Sequence, residues 1–200
     1  MEFATIAQWL GTVGIVSFYP IQNWRLFLTR NPIGISFLAF CCIVVGVAGY
    51  LALGVRLELA GLAAGNASNF FFACCLLLIV WFRSSTLTVR ERVAGLFVLV
   101  SGLGFLLAMN LLSSRAIAIA VSGWTGLTGI VAFYPIQNAV LFRKKDPAGL
   151  SLLAFATLTI GLVFYTILGF LVHDITIIVG NGLTAIGSIV VIYMVLRYRK

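Results

Sequence analysis

Two asparagines, Asn66 and Asn181, are the side chains best placed to bind a ligand in a chain that is 62% hydrophobic. Each lies inside a long apolar run, and Asn66 is roughly 12 Å into its run if the run is helical. A carboxamide offers two donors and an acceptor, which suits a ligand that carries hydroxyl groups. A polar side chain at such a depth usually faces a cavity or another helix, so the alternative is an interhelical hydrogen bond.

Other chemistries find little support in the residue types. The single histidine, His173, excludes a multi-histidine metal site, and the five scattered acidic residues form no pair suited to acid–base catalysis. The cysteines form two adjacent pairs, at 41–42 and 74–75. A four-thiolate metal site is conceivable, but burying thiolates in lipid is costly, which favours a packing role. We therefore expect no enzyme, no cofactor and no bound metal.

The composition places the chain in a membrane. Only 9% of its 200 residues are charged and its mean hydropathy is +1.15, whereas soluble domains have about 25% charged residues. The spans leave no room for a soluble catalytic or nucleic-acid-binding domain, so we expect an all-α integral membrane protein surrounded by lipid. Seven apolar runs are each long enough to cross about 30 Å of hydrocarbon as a helix: 5–24, 34–55, 57–82, 93–112, 116–141, 149–172 and 175–196.

Basic residues divide unequally between the two ends of these spans. Eleven of the 13 lysines and arginines follow spans 1, 3, 5 and 7, whereas only Arg56 and Arg115 lie at the other end. Because short loops rich in Lys and Arg stay in the cytoplasm, we expect a cytoplasmic C-terminus and an N-terminus outside. The net charge of +8 is then an orientation signal and not a nucleic-acid-binding surface. We expect a plasma or inner membrane in preference to that of an organelle.

The sequence repeats itself at an offset of 115 residues. The segment Phe-Tyr-Pro-Ile-Gln-Asn at 18–23 recurs at 133–138, all four prolines align, and 26 of 74 compared positions are identical. Three spans alone would leave the second copy inverted, and the fourth span restores its direction. The predicted architecture is two parallel triple-helix bundles joined by a linker helix, with boundaries at 1–83, 84–115 and 116–200. Parallel repeats about an axis along the membrane normal are a known transporter plan.

The repeated motifs resemble those of the SWEET, SemiSWEET and PQ-loop transporters. A Pro-Gln-type signature stands late in the first helix of each repeat, Gly-[Ile/Leu]-Ser opens the second helix, and Gly-x-x-x-Tyr-x-x-Leu-Gly follows. The three-one-three layout is similar to that of full-length SWEETs over essentially the whole chain. Ile21 and Ile136 separate the proline from the glutamine, and Ala39 and Ala154 stand where SWEETs have a proline. These departures keep the cargo open between a sugar and another small metabolite.

The resemblance implies roles for several residues on the path. Asn66 and Asn181 match the asparagines that line the SWEET sugar pocket. Tyr50 and Tyr165, each 16 residues earlier, match the aromatic positions of SWEET-like repeats. They are expected to stack on a solute ring or close an outer gate, the alternative being an interfacial aromatic belt. Asp174 resembles an acidic outer-gate residue, the alternative being a solvated helix start.

The repeated Phe-Tyr-Pro-Ile-Gln-Asn motif is expected to supply moving parts. Proline removes a backbone hydrogen bond and kinks a helix, so Pro20 and Pro135 are predicted to be paired hinges for alternating access or else static kinks. Ser17, which precedes the first motif, is predicted to line the path. Four amides that follow the prolines are expected to gate the cytoplasmic end and brace the kinked backbone, or to meet lipid headgroups: Gln22, Asn23, Gln137 and Asn138.

These residues predict a SWEET-like uniporter for a small neutral polar solute, with a sugar preferred. No Asp, Glu, Lys, Arg or His side chain lies at mid-membrane depth, and proton coupling usually needs such a group. The alternative is a PQ-loop-type carrier of amino acids or another small metabolite. A KDEL-type sorting receptor shares the architecture but reads a charged peptide terminus through intramembrane basic residues, which this chain lacks. Oligomerisation is possible but not required, because one chain supplies both repeats.

Overall fold

The computed structural model describes residues 2–84 and 87–199, and these form seven α-helices. Residues 1, 85, 86 and 200, which the predicted boundaries include, lie outside the described residues. Each helix is long and apolar enough to cross a membrane, and the predicted all-helical, seven-span fold is confirmed. The helices are α1 (Glu2–Thr29), α2 (Phe37–Arg56), α3 (Ala60–Arg83), α4 (Val89–Leu112), α5 (Arg115–Lys144), α6 (Leu152–Val172) and α7 (Ile175–Tyr198).

Serines at equivalent positions begin the second helix of each repeat. The hydroxyl of Ser36 accepts from the backbone N–H of Ala39, and that of Ser151 from Ala154, both at 3.3 Å. Such a cap satisfies one of the donors that a helix N-terminus leaves unpaired. Because of these caps, α2 and α6 begin directly after the serines, three residues later than the apolar runs predict.

Six of the helices form a closed ring. Helix α3 packs against both α1 and α2, and α7 packs against both α5 and α6. The two repeats meet where α2 packs against α5 and where α1 packs against α6, so the order around the ring is 1-3-2-5-7-6. We call the end that holds the α1–α2, α3–α4 and α5–α6 connections the basic end, because most lysines and arginines lie there. The other end is called the opposite end.

Glycines bring the two repeats into backbone contact at both seams. A Cβ atom added to Gly14 of α1 would lie 2.6 Å from the Cα of Gly161 in α6, and one added to Gly129 of α5 would lie 2.5 Å from the nitrogen of Gly46 in α2. The repeat offset converts one pair into the other. Any side chain at these positions would force the helices apart, because the neighbouring atoms are backbone. The two seams are therefore related by a pseudo-two-fold axis.

The linker helix α4 lies outside the ring, against α2 and α5. Most of its surface is exposed, and its buried residues are Gly95 and Leu106. At the opposite end, Arg56 Nη2 donates to the carbonyl of Asn110 at 2.6 Å, and Asn110 Nδ2 donates to Ser122 Oγ at 3.1 Å. The linker is thereby tied to both repeats along one seam of the ring.

Candidate functional site

A small cavity lies at the centre of the ring, lined by side chains from all six ring helices. Its volume is about 30 Å³, which is room for roughly one or two water molecules. A sugar therefore does not fit in this conformation. None of the lining residues is charged. Its polar lining residues are Tyr19 and Tyr134, Tyr50 and Tyr165, Asn66 and Asn181, and Asn69 and Thr184, and the members of each pair are related by the repeat.

The structure brings Asn66 and Asn181 together at this cavity, and both are buried. Each carboxamide nitrogen donates to the carbonyl four residues earlier in its own helix, at 2.8 Å to Leu62 and 2.9 Å to Ile177. These bonds occupy one donor of each side chain. The carboxamide oxygens are then the acceptors available to a hydroxyl-bearing solute.

Two buried glutamines close the ring between the cavity and the basic end. Gln22 Nε2 donates to the carbonyl of Gly149 at 2.6 Å, and its Oε1 accepts from the N–H of Ser151 at 2.9 Å. Gln137 makes the same two bonds to the equivalent loop of the first repeat, at 2.5 and 2.9 Å. Both side chains are fully buried, so neither meets a headgroup. We call these four bonds the glutamine closure.

Tyrosine hydroxyls close the ring on the other side of the cavity. Tyr50 donates to the carbonyl of Thr176 at 2.6 Å. The hydroxyl of Tyr165 lies 2.9 Å from that of Thr12. The Thr12 hydroxyl has two carbonyl acceptors within reach, that of Gly61 at 2.9 Å and that of Gln8 in its own helix at 2.8 Å. Thr176 and Gly61 are repeat equivalents, so each tyrosine reaches the start of the third helix of the other repeat. We call these contacts the tyrosine closure.

The architecture matches that of a known transporter. The chain is similar to a solved structure of a eukaryotic SWEET transporter, with a TM-score of 0.69 over 99% of this chain and 97% of that chain. The sequence identity is 15%. The chain has the SWEET fold. The resemblance inferred from the motifs is thus confirmed for the fold, in an integral, multi-pass membrane protein. No protein-family model matches the sequence, and no curated protein matches it in sequence either.

Within this SWEET fold, the two predicted hinge prolines lie on the surface of the ring. Pro20 and Pro135 are exposed and sit inside α1 and α5, which continue on either side of them. Each is the neighbour of a cavity-lining tyrosine and lies two residues before a glutamine of the glutamine closure. A bend at either proline would move both of those groups, and the hinge stays a prediction.

Asn23, the asparagine after the first glutamine, bonds within its own repeat. Asn23 Nδ2 donates to the carbonyl of Phe72 at 3.2 Å, which braces α1 against α3. The carboxamide oxygens of Asn23 and Asn138 are buried and have no hydrogen-bond partner among the described residues. Of the four predicted gate amides, the two glutamines therefore join the repeats, and Asn23 bonds within its own repeat.

Ser17 and Asp174 lie away from the cavity lining. The hydroxyl of Ser17 donates to the carbonyl of Val13 in its own helix at 2.7 Å. Asp174 is the N-cap of α7, and one carboxylate oxygen accepts from the backbone N–H groups of Thr176 and Ile177 and from the Thr176 hydroxyl. That contact accounts for an acidic residue at this position without a gate. Their predicted roles on the path stay predictions.

Sequence reasoning overlooked several groups at the site. Tyr19 and Tyr134 line the cavity, and their place in the repeated six-residue motif could have indicated them. Asn69 also lines it, one helical turn after Asn66, and that spacing was the available signal. Thr12 takes part in the tyrosine closure, but its repeat equivalent is Leu127, so the repeat offers no sign of it.

A larger groove opens at the basic end, beside the last turn of α7. It has a volume of about 740 Å³ and includes Arg25, Lys145 and Arg199. It shares no lining residue with the central cavity, so it is not the polar site described above. The cysteines also lie outside that site. Among residues 2–84 and 87–199, no group of three or more His, Cys, Asp and Glu side chains could hold a metal ion.

Proposed function

We propose that this protein is an alternating-access uniporter for a small neutral polar solute, and that the solute is a sugar. The observation that carries the proposal is the central cavity, which is uncharged, reached by all six ring helices and lined by repeat-related amides and tyrosines. The SWEET fold supports a transport role for such a cavity.

The chemistry of the cavity favours hydroxyl groups over charged groups. A charged solute in a buried site needs a charged or strongly polar partner, and the lining contains no charge. Asn66 and Asn181 present carboxamide oxygens, which accept from hydroxyls and repel a carboxylate. This argument places sugars ahead of amino acids as cargo. The lack of an Asp, Glu, Lys, Arg or His side chain in the lining favours a facilitator over a proton symporter.

The two closures supply the moving parts of the proposed cycle. Release of the glutamine closure opens the cavity toward the basic end, and release of the tyrosine closure opens it toward the opposite end. We propose that residues 1–83 and 116–200 rock about the seams, with hinges at Pro20 and Pro135 and residues 84–115 as linker. The excess of basic residues supports an orientation with a cytoplasmic C-terminus and an external N-terminus.

Flux into proteoliposomes tests the proposal. We expect the wild-type chain to equilibrate a labelled hexose and not a labelled neutral amino acid, and Asn66→Ala and Asn181→Ala each to lower hexose flux about 10-fold or more, since each removes an acceptor. Thr128→Ala is the matched control, because its hydroxyl is exposed and bonded within its own helix. Normal flux in both asparagine variants would overturn the site. Flux that stops when the pH gradient is removed would overturn the uniporter.

A further inference from the structure

Three polar atoms at the central cavity have no hydrogen-bond partner among the described residues: two belong to Tyr19 and Asn69 of the first repeat, and the third is the hydroxyl of Tyr134. The hydroxyl of Tyr19 and the Oδ1 of Asn69 make no hydrogen bond among the described residues. Their side chains are nevertheless only 2% and 1% exposed, and both line the cavity. Buried polar groups are almost always paired, because an unpaired one keeps its full desolvation cost. A ligand in the cavity would relieve that cost.

We propose that Tyr19 and Asn69 bind the transported solute directly, with the tyrosine hydroxyl donating to a solute oxygen and Asn69 Oδ1 accepting from a solute hydroxyl. This inference rests on the proposed function and assigns recognition of the solute to two side chains of the first repeat. Asn69 lies one turn from Asn66, about 4.5 Å along α3. A solute that bonds to both carboxamide oxygens must carry at least two hydrogen-bond donors. In the neutral polar solute of the proposed function these are hydroxyl groups, as in a monosaccharide.

One of the two equivalent positions of the second repeat is less available to a ligand. Thr184 stands in place of Asn69, and its hydroxyl donates to the carbonyl of Gly180 in its own helix. Tyr134 stands in place of Tyr19, and its hydroxyl likewise makes no hydrogen bond among the described residues. The two repeats therefore offer the same tyrosine donor, and the acceptor of Asn69 is the group that the second repeat does not match. A solute with unlike faces binds such a site in a single orientation.

The test compares Tyr19→Phe and Asn69→Thr with the wild type in proteoliposomes. Each variant removes one hydrogen-bonding group with little change of volume, and Asn69→Thr copies the second repeat. We expect each to raise the KM for the hexose about 3- to 10-fold, which is the range for one lost hydrogen bond. We expect the thermal midpoint in the absence of sugar to stay the same or rise, because an unpaired buried group is removed.

Two controls separate solute binding from a structural role. Tyr193→Phe removes a tyrosine hydroxyl on the exposed surface of α7 and should leave the KM unchanged. Tyr134→Phe is a positive control and should raise the KM about as much as Tyr19→Phe, because both hydroxyls line the cavity without a partner among the described residues. In addition, hexoses that each lack one hydroxyl group are tested as substrates. The wild type should transport one of these analogues more slowly than the parent hexose, whereas Asn69→Thr should transport that analogue and the parent hexose at equal rates.

The outcomes distinguish this inference from the proposed function. If the wild type carries no hexose, the proposed function fails. If the wild type carries hexose, and both variants keep the wild-type KM and lose thermal stability without sugar, Tyr19 and Asn69 are structural and this inference fails alone. If Asn69→Thr keeps the wild-type KM while Tyr19→Phe raises it, the proposed contact of the solute with Asn69 and the one-sided recognition of the solute are overturned.

Discussion

The two ends of the central cavity are closed by contacts of different symmetry. In the glutamine closure, Gln22 and Gln137 make the same two bonds to equivalent loops, with distances that agree within 0.1 Å. In the tyrosine closure, Tyr50 reaches a backbone carbonyl at 2.6 Å, whereas Tyr165 lies 3.4 Å from the equivalent carbonyl and 2.9 Å from the hydroxyl of Thr12.

The difference has a local cause. The glutamine closure consists of residues that are identical in both repeats and of backbone atoms, so its symmetry follows from the shared fold. In the tyrosine closure, the position of Thr12 is occupied by Leu127 in the other repeat, and the threonine hydroxyl inserts between tyrosine and carbonyl. One changed side chain is therefore enough to make the two halves of a closure unequal while the helices keep their places.

The largest effect is expected from the glutamine closure. Gln22→Leu leaves the buried Gly149 carbonyl and the partly buried Ser151 N–H without their partner, at a cost of up to about 1–3 kcal/mol for each group. Gln137→Leu does the same to the equivalent groups of the first repeat. The double variant should lose several kcal/mol of stability, measured as the thermal midpoint in detergent. Because the closure is symmetric, the two single variants should lower the thermal midpoint equally. A clear difference between their thermal midpoints would contradict the symmetry of the glutamine closure.

A smaller and unequal effect is expected from the tyrosine closure. Tyr50→Phe removes a direct bond to the Thr176 carbonyl and should cost about 1 kcal/mol. Tyr165→Phe should cost less, because Thr12 keeps its bond to Gly61. Thermal midpoints of the two variants measure the difference, and Tyr193→Phe controls for the loss of a tyrosine hydroxyl as such. Equal losses of stability in Tyr50→Phe and Tyr165→Phe would contradict the asymmetry of the tyrosine closure.

Thr12→Val tests the cause of this asymmetry, because it replaces the threonine hydroxyl by an apolar side chain, and the second repeat has the apolar Leu127 at the equivalent position. We expect it to cost about 0.5–1.5 kcal/mol, the net value of a buried hydrogen bond. It should also abolish most of the effect of Tyr165→Phe, so that a double-mutant cycle between the two positions gives a coupling energy of about 0.5 kcal/mol or more. The effect of Tyr50→Phe should be unchanged in the Thr12→Val background, and a change there would show that the two sides are not independent.

The smallest effect is expected at the start of α7. Asp174 caps this helix, whereas the equivalent residue at the start of α3, Leu59, makes no side-chain cap. Asp174→Ala should cost about 0.5–1 kcal/mol and Asp174→Asn close to nothing, because asparagine caps as well as aspartate. Hexose flux in Asp174→Asn separates a cap from a gate: normal flux fits the cap, and a strong loss with unchanged stability would assign the carboxylate to the path.

Much of the fold could be predicted because its signals are local or repeated. Long apolar runs must be helices in lipid, since backbone groups there have to pair internally, and the offset of 115 residues relates the two halves. Helix ends were less predictable. Hydropathy measures the hydrocarbon thickness, whereas α1 and α5 continue past their apolar runs into basic segments, and the serine caps set the starts of α2 and α6.

The site was predictable only where its chemistry was repeated. Asn66 and Asn181 were found because two equivalent amides in apolar runs stand out, and the structure places both at the cavity. Tyr19 was not predicted, because a tyrosine beside a proline forms no distinctive sequence pattern. Its place at the cavity depends on how α1 packs against the other helices. Ser17 was selected for its proximity to the motif, but a helix turns by 100° at each residue, and its hydroxyl bonds to its own helix instead.

Composition, hydropathy and the repeat alone determine that the chain is a seven-span helical membrane protein with two related halves, because these properties depend on the number and order of apolar residues. The partners of Gln22 and Tyr50 depend on closure of the ring, since they lie 127 and 126 residues away in the chain. The cavity volume and the unpaired atoms of Tyr19 and Asn69 likewise exist only after six helices have packed together, so the tertiary structure alone decided them.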